Sequence, residues 1–197
     1  MIRSFVALPV PDGIRSGLAG LMGEMERLGI DAKFPRPESI HITLKFLGDV
    51  EESQLVEIGA ALRDAASQAR IFELEIEGLG VFPYLASPKV VWTGIRCESE
   101  GLLELQRSVE EGLQGAGFPK EKRAFQPHLT LARIRSRRKI ALLMDFIERR
   151  SPEVVLGNIL ATEFCLYQSI LRPQGAEYRK LQSFRLSGSS GQDRTLA

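Results

Sequence analysis

The only two histidines of the chain lie in matching tetrapeptides, His-Ile-Thr-Leu from position 41 and His-Leu-Thr-Leu from position 128. Both segments are short and apolar, so each predicts a β-strand. Side chains two residues apart on a strand share a face. His41 and Thr43 therefore lie side by side on the first strand, as His128 and Thr130 do on the second. The aliphatic residues between and after them face a core.

Two such imidazole and hydroxyl pairs, facing each other across a groove, could act on a phosphate. Histidine titrates at a pH of about 6.5, so one ring can serve as a base while the other, protonated, serves as an acid. Threonine hydroxyls can donate hydrogen bonds to non-bridging phosphate oxygens. The pattern predicts phosphoryl chemistry in which the base activates water and the acid protonates an internal leaving group, with no metal required. The alternative is that both histidines are structural residues of a duplicated strand.

The sequence lacks the residues that several other kinds of catalytic site require. A zinc site usually has three or more protein ligands, and neither histidine has a cysteine or carboxylate two or four positions further on. The sequence contains no Gly-x-Ser-x-Gly nucleophile elbow and no phosphate-binding Gly-x-x-x-x-Gly-Lys. We therefore predict no metal and no cofactor.

Composition limits the possible partners and locations. The 26 basic and 25 acidic residues leave a net charge of +1, which argues against a protein that coats nucleic acid but leaves room for a local phosphate site. Cys97 and Cys165 have no metal-binding spacing, and we interpret them as reduced thiols of a cytoplasmic protein. No apolar run reaches the roughly 18 residues of a membrane span, and we expect neither membrane insertion nor a signal peptide. A monomer is the default expectation.

A pattern of strand, helix, His-Thr strand, helix and strand occurs twice, with the two histidines 87 positions apart. We interpret this as a two-copy repeat, with halves of about 1–87 and 88–175, inside one bilobal domain of residues 1–186. The polar, Gly- and Ser-rich residues 187–197 are expected to form a flexible tail. Periodicity predicts strands at 2–10, 71–76, 89–97 and, as one or two strands, 154–171, helices at 14–28, 51–69, 102–113 and 140–147, and a loop at 78–88.

The extended motifs resemble those of a known family. His-Ile-Thr-Leu-Lys-Phe-Leu-Gly at 41–48 and Pro-His-Leu-Thr-Leu-Ala-Arg at 127–133 are similar to the paired His-x-Thr-x motifs of the 2H phosphoesterase superfamily. They most resemble its bacterial and archaeal RNA 2′,3′-cyclic phosphodiesterases, once called 2′-5′ RNA ligases. Arg-Ser-Phe-Val-Ala-Leu at 3–8 and Leu-Tyr-Gln-Ser at 166–169 fit that branch too, so the resemblance covers residues 1 to about 183.

The resemblance implies hydrolysis of a 2′,3′-cyclic phosphate at an RNA end, or of a small cyclic nucleotide, to a 2′-phosphomonoester without metal. By analogy, His41 is the proton donor, His128 is the proton acceptor, and Thr43 and Thr130 bind the phosphate. With the repeat, it predicts an α+β fold of two pseudo-symmetric lobes, each a mainly antiparallel sheet with helices on its outer face, around a central cleft. Ligation to a 2′-5′ linkage at the same site, or binding of RNA or nucleotide without catalysis, remain alternatives.

Further phosphate or RNA contacts are open. Lys45 has the parity of His41 and is expected to face the cleft or solvent. Strict alternation puts Arg133, which matches a family arginine, on the opposite face from His128, unless the strand ends or bulges near Ala132. A basic run could form a solvated loop or guide an RNA strand; it comprises Arg135, Arg137, Arg138 and Lys139. Four aromatic residues are candidates for base stacking, namely Phe82, Tyr84, Trp92 and Phe125. Of these, Trp92 is favoured as a core residue, and the role of Tyr84 is left open.

Overall fold

A computed structural model describes residues 1–172 and 175–188. Within this part of the chain, no helix is long and apolar enough to cross a membrane. The helices are α1 (Asp12–Arg27), α2 (Leu55–Gln68), α3 (Gly101–Gly115) and α4 (Ile140–Arg150). The strands are β1 (Ile2–Pro9), β2 (Ala32–Lys33), β3 (His41–Val50), β4 (Phe72–Phe82), β5 (Val90–Arg96), β6 (His128–Ile134), β7 (Val155–Ala161), β8 (Glu163–Arg172) and β9 (Gly175–Arg185).

The strands form two antiparallel sheets of matching layout. Sheet 1 has the order β3-β1-β8-β9, and sheet 2 has the order β2-β6-β5-β4-β7. Apart from the short β2, each position of sheet 1 has a counterpart in sheet 2, with β3 matching β6 and β1 matching β5. The predicted α+β fold with two pseudo-symmetric antiparallel lobes is confirmed.

The lobes exchange elements between the two halves of the sequence. β4, from the first half, lies in sheet 2 between β5 and β7, and β8, from the second half, lies in sheet 1 beside β1. Helices are exchanged too, since α2 and α3 contact strands of sheet 1 whereas α1 and α4 contact strands of sheet 2. The buried side chains form one continuous cluster across both lobes. The two His-Thr strands are thus held by a shared core rather than by a flexible connection.

The prediction of a loop from Gly78 onward is wrong as far as Phe82, because β4 runs on to that residue. Gly78 has a φ of +67°, and the pairing of β4 with β5 shifts by one residue between Glu77 and Leu79. Glycine accommodates this left-handed bulge, after which the strand continues. Gly78 therefore marks a kink within the strand rather than the end of the strand.

The end of the described chain is more ordered than predicted. Residues 175–185 form β9, a strand that the sequence periodicity did not predict. Ser187, placed in the predicted flexible tail, donates hydrogen bonds from Oγ to the carbonyls of Ser67 and Ala69, at 2.8 and 3.0 Å. The rest of that predicted tail, residues 189–197, lies outside the described residues.

Candidate active site

The two His-Thr strands lie at neighbouring edges of the sheets. β3 is an edge strand of sheet 1, and β6 is covered on its outer side only by the two residues of β2. Cα atoms of β3 and β6 approach to within 8 Å. Two motifs that are 87 residues apart in sequence are thereby brought together between the lobes.

Strand register puts each histidine and its threonine on one face. His128 and Thr130 lie opposite Gly94 and Trp92, which are two residues apart on β5. In sheet 1, His41 and Thr43 lie in the same way opposite Pro9 and Ala7 of β1. All four motif side chains are half-buried, whereas the residues that alternate with them are fully buried.

Both imidazoles are oriented by the same backbone contact. Nδ1 of His41 lies 2.8 Å from the carbonyl oxygen of Ser39, and Nδ1 of His128 lies 2.7 Å from that of Gln126. A carbonyl only accepts hydrogen bonds, so Nδ1 carries the proton in each ring. Nε2 is left to face a ligand, as an acceptor when the ring is neutral and as a donor when it is protonated. Either ring can therefore act as acid or base.

His41 is enclosed by aromatic side chains from three other strands. Its ring stacks on Phe5 of β1, with centroids 4.5 Å apart, and meets Tyr178 of β9 edge-on at 4.9 Å. Tyr167 of β8 lies behind, at 6.4 Å. Burial among these rings lowers the pKa of His41 to about 4, although the bond to the Ser39 carbonyl opposes the shift. Free His41 is therefore neutral near pH 7.

Aromatic side chains also support His128. Its ring meets Phe82 edge-on, with centroids 4.9 Å apart, and Phe82 packs on Trp92 at 5.2 Å. Trp92 lies across Gly80, where an added Cβ would come within 2.2 Å of the indole. The expectation that Trp92 belongs to the core is wrong, because it is half-buried on the face that carries Thr130. Of the other aromatic candidates, Phe125 packs against the core and Tyr84 is exposed.

A bulge in β3 overturns the expectation for Lys45. Thr43 pairs with Ala7, but Lys45 pairs with Val6, so Leu44 is the extra residue of a β-bulge. The bulge moves Lys45 to the core face, where its ammonium group lies 2.9 Å from Glu110 Oε2 and 2.8 Å from the Pro119 carbonyl. Lys45 does not face the cleft, and the prediction of a phosphate contact is wrong.

The equivalent bulge in β6 has the opposite consequence for Arg133. Thr130 pairs with Trp92, but Ala132 pairs with Val91, which makes Leu131 the extra residue. The condition set for Arg133 is thus met, and the arginine returns to the face of Thr130. Burial raises the pKa of Tyr178, on β9 of the other sheet, and the positive charge of Arg133 opposes that rise.

Phe46 is a candidate active-site residue that the sequence analysis did not identify. It follows the bulge of β3 as Arg133 follows that of β6, pairs with Phe5, and is 61% exposed. The two rings are 6.1 Å apart, so Phe46 lies near the aromatic surroundings of His41. Phe46 and Arg133 each lie five residues after the histidine of their motif, and this shared spacing is the sequence feature that could have identified Phe46.

Comparison with known proteins identifies the family of this chain. A family model described as the 2′-5′ RNA ligase superfamily matches residues 16–168. The chain belongs to the 2′-5′ RNA ligase superfamily, also called the 2H phosphoesterases.

Two relatives within the superfamily are called RNA 2′,3′-cyclic phosphodiesterase. The Archaeoglobus fulgidus protein is 38% identical over 93% of this chain and 99% of its own length. The Methanothermobacter thermautotrophicus protein is 35% identical over 94% of this chain and 99% of its own. A crystal structure of a Thermus thermophilus protein matches with a TM-score of 0.77 and 27% identity, over 96% of this chain and all of that one.

The basic run of this superfamily member leads from β6 into α4. Arg135, Arg137 and Arg138 are exposed. Lys139 precedes α4 with a left-handed φ of 55°, and its ammonium group donates to the Leu28 carbonyl at 3.0 Å. This contact holds Lys139 against the end of α1, whereas the side chains of the three arginines are exposed.

Acidification is expected to destabilise this superfamily member through His41. The unfolded chain binds a proton on His41 below a pH of about 6.5, whereas the folded chain does so only near its pKa of about 4. The unfolded state binds more protons between these values, so the free energy of unfolding falls as the pH is lowered through this window. Urea unfolding at a pH above this window and at a pH within it measures the free energy of unfolding. The decrease between the two pH values should be smaller for His41→Gln than for the wild type.

Proton NMR measures the same effect directly, because the chain has only two histidines to assign. The resonance absent from His41→Gln should titrate near pH 4 in the free protein. Inorganic phosphate should raise that midpoint, since a nearby anion favours the imidazolium form. A midpoint at the ordinary histidine value in the free protein would contradict the effect of burial.

Proposed function

We propose that this protein hydrolyses 2′,3′-cyclic phosphates at RNA ends to 2′-phosphomonoesters by a two-histidine, metal-independent mechanism. The observation that carries the proposal is the pair of imidazoles on neighbouring strands, each fixed through Nδ1 and each beside a threonine. Relatives called RNA 2′,3′-cyclic phosphodiesterase, of similar length, support it. Balanced charge and the free thiols of Cys97 and Cys165 fit a cytoplasmic monomer.

In the proposed reaction, Nε2 of neutral His128 accepts a proton from water, and the water oxygen forms a bond to phosphorus. The bond from phosphorus to the 3′-oxygen breaks, and protonated His41 donates its Nε2 proton to that oxygen. The products are a 2′-phosphomonoester and a free 3′-hydroxyl. The two rings exchange protonation states and are reset by solvent. Such proton transfers contribute about 10²- to 10⁴-fold each.

The hydroxyls of Thr43 and Thr130 stabilise the developing charge by donating hydrogen bonds to the non-bridging oxygens. Arg133 adds a fixed positive charge on the same face. Donors that are in place before the reaction lower the barrier because they need no reorganisation as charge develops. These side chains supply the charge stabilisation that a metal ion provides in other phosphodiesterases.

Protonation of His41 is coupled to substrate binding in this mechanism. Its pKa of about 4 keeps the free ring neutral near pH 7, which is the wrong form for a proton donor. The bound phosphate is an anion and raises the pKa of a nearby imidazole. Binding therefore takes up the proton that His41 later donates. Inversion of the two roles is the alternative, because a lowered pKa favours the neutral form that a base needs.

Incubation of the purified protein with nucleoside 2′,3′-cyclic phosphates and with cyclic-phosphate-ended RNA tests the proposal. We expect a 2′-phosphomonoester, formed at the same rate with and without EDTA. A 3′-phosphomonoester, no turnover of either substrate, or loss of activity with the chelator would contradict it. Adding RNA with a free 5′-hydroxyl end tests for 2′-5′ ligation, in which that hydroxyl attacks phosphorus in place of water, and binding without turnover would identify a non-catalytic RNA-binding module.

A further inference from the structure

The short strand β2 places a second cation beside Arg133. Its Lys33 pairs directly with Arg133 of β6, and Ala32 pairs with Ile134. Directly paired residues of neighbouring antiparallel strands project to the same face of a sheet. Arg133 shares the face of Thr130, because their partners Val90 and Trp92 are two residues apart on β5. Lys33 therefore projects to the same face as the candidate phosphate-binding residues.

This pairing is unfavourable for the free protein. Like charges directly opposite on neighbouring strands destabilise a sheet. Both side chains are exposed, and across residues 1–172 and 175–188 neither forms an ion pair with a carboxylate within 4 Å. Two residues further along, Arg135 donates its backbone N–H to the backbone carbonyl of Asp31, so this arginine lies beside an acidic residue. Of the cations on β2 and in the segment from β6 to Arg135, Lys33 and Arg133 lie nearer the His-Thr motif of β6.

Lys33 lies further towards the edge of sheet 2 than Arg133 does. Neighbouring strands lie about 4.8 Å apart, so Lys33 is one strand further from β5 than Arg133. Arg133 is near enough to Tyr178, which contacts His41, for its charge to lower the pKa of that tyrosine. An anion held by Lys33 and Arg133 together would thus adjoin the phosphate at the histidines without coinciding with it.

We propose that Lys33, next to Arg133, binds a second phosphate, the phosphodiester on the 5′ side of the terminal nucleoside, and so contributes to discrimination between an RNA strand and a mononucleoside cyclic phosphate. This inference rests on the proposed function. A phosphodiester lies on the 5′ side of every RNA end that carries a cyclic phosphate, and a lysine–phosphate contact is a charge-assisted hydrogen bond. The anion would offset the repulsion between the two cations, which gives the like-charge pair a physical role.

Three substrates and three variants test this inference. The substrates are a nucleoside 2′,3′-cyclic phosphate, its 5′-phosphorylated form, and a dinucleotide that ends in the cyclic phosphate. Lys33→Ala should lower kcat/KM for the dinucleotide about tenfold more than for the nucleoside cyclic phosphate, mainly through KM, as expected for a lost charged hydrogen bond. Lys33→Arg should restore most of the loss. Arg63→Ala, which removes an exposed charge on the outer helix α2, is the matched control and should affect all three substrates equally.

The 5′-phosphorylated substrate distinguishes a terminal phosphate from a phosphodiester. A loss of kcat/KM in Lys33→Ala for the dinucleotide supports the inference, whether or not kcat/KM for the 5′-phosphorylated nucleotide also falls. A loss confined to the 5′-phosphorylated nucleotide, or equal for all three substrates, overturns it. If the wild type hydrolyses all three and Lys33→Ala matches it throughout, only this inference fails. If the wild type hydrolyses none of them, the proposed function itself fails.

Discussion

Replacing either His41 or His128 with alanine is expected to lower kcat by about 100-fold or more, because each change removes a positioned proton-transfer group. Both rings are held through Nδ1 by a backbone carbonyl, so each alanine variant loses an Nε2 atom that was fixed in position. The double variant should be only slightly slower than the slower single variant, since residues that act as one unit are not additive. Initial rates with a cyclic-phosphate-ended RNA measure this, and circular dichroism checks that the variants fold.

A sulfur-substituted substrate assigns the two roles. If sulfur replaces the leaving 3′-oxygen, the departing thiolate needs little protonation, because thiols lose a proton at a pH of about 8.5. The variant that lacks the proton donor should then recover most of its rate, whereas the variant that lacks the acceptor should not. Recovery in His41→Ala supports His41 as the donor, and recovery in His128→Ala would invert the two roles. Full activity of the double variant on the natural substrate would falsify the two-histidine mechanism.

Removing one partner of the buried Lys45–Glu110 pair is expected to reduce the free energy of unfolding by about 3–5 kcal/mol. Only 1% of the Lys45 side chain and 8% of the Glu110 side chain are exposed, and the charged atoms lie 2.9 Å apart. Glu110→Leu leaves the buried ammonium group with only the Pro119 carbonyl as a partner. The loss is large because an uncompensated charge remains in the interior, not because the pair itself is strongly stabilising.

Urea unfolding of Lys45→Met, Glu110→Leu and the double variant tests this expectation. The double variant should be markedly more stable than either single one, since it leaves neither charge unpaired. Asp145→Asn is the control, because the Arg149–Asp145 pair is 2.7 Å long but largely exposed, and its loss should cost at most about 1 kcal/mol. Similar small losses for both pairs would show that Lys45 and Glu110 are hydrated in solution.

The pair also explains why a residue adjoining the motif was misassigned from sequence. Parity along an unbroken strand puts Lys45 with His41, and no local feature of the sequence indicates the bulge at Leu44. The bulge exists only in the pairing of β3 with β1, where two residues oppose one. The same bulge in β6 brings Arg133 to the face of Thr130, so one structural feature removed one candidate and supported another.

The sequence by itself determined the two His-Thr strands, the faces they present and the helices. These follow from local rules, since the twofold alternation of a strand and the 3.6-residue period of a helix can be read without knowing any partner. Only the tertiary structure decided the exchange of β4 and β8 between the sheets, the bulges, and the position of Lys33 beside Arg133. The lowered pKa of His41 belongs to the same group, because Phe5 and Tyr178, which bury its ring, lie on strands far apart in the sequence. Pairing and burial depend on contacts between distant segments, and those contacts exist only once the chain is folded.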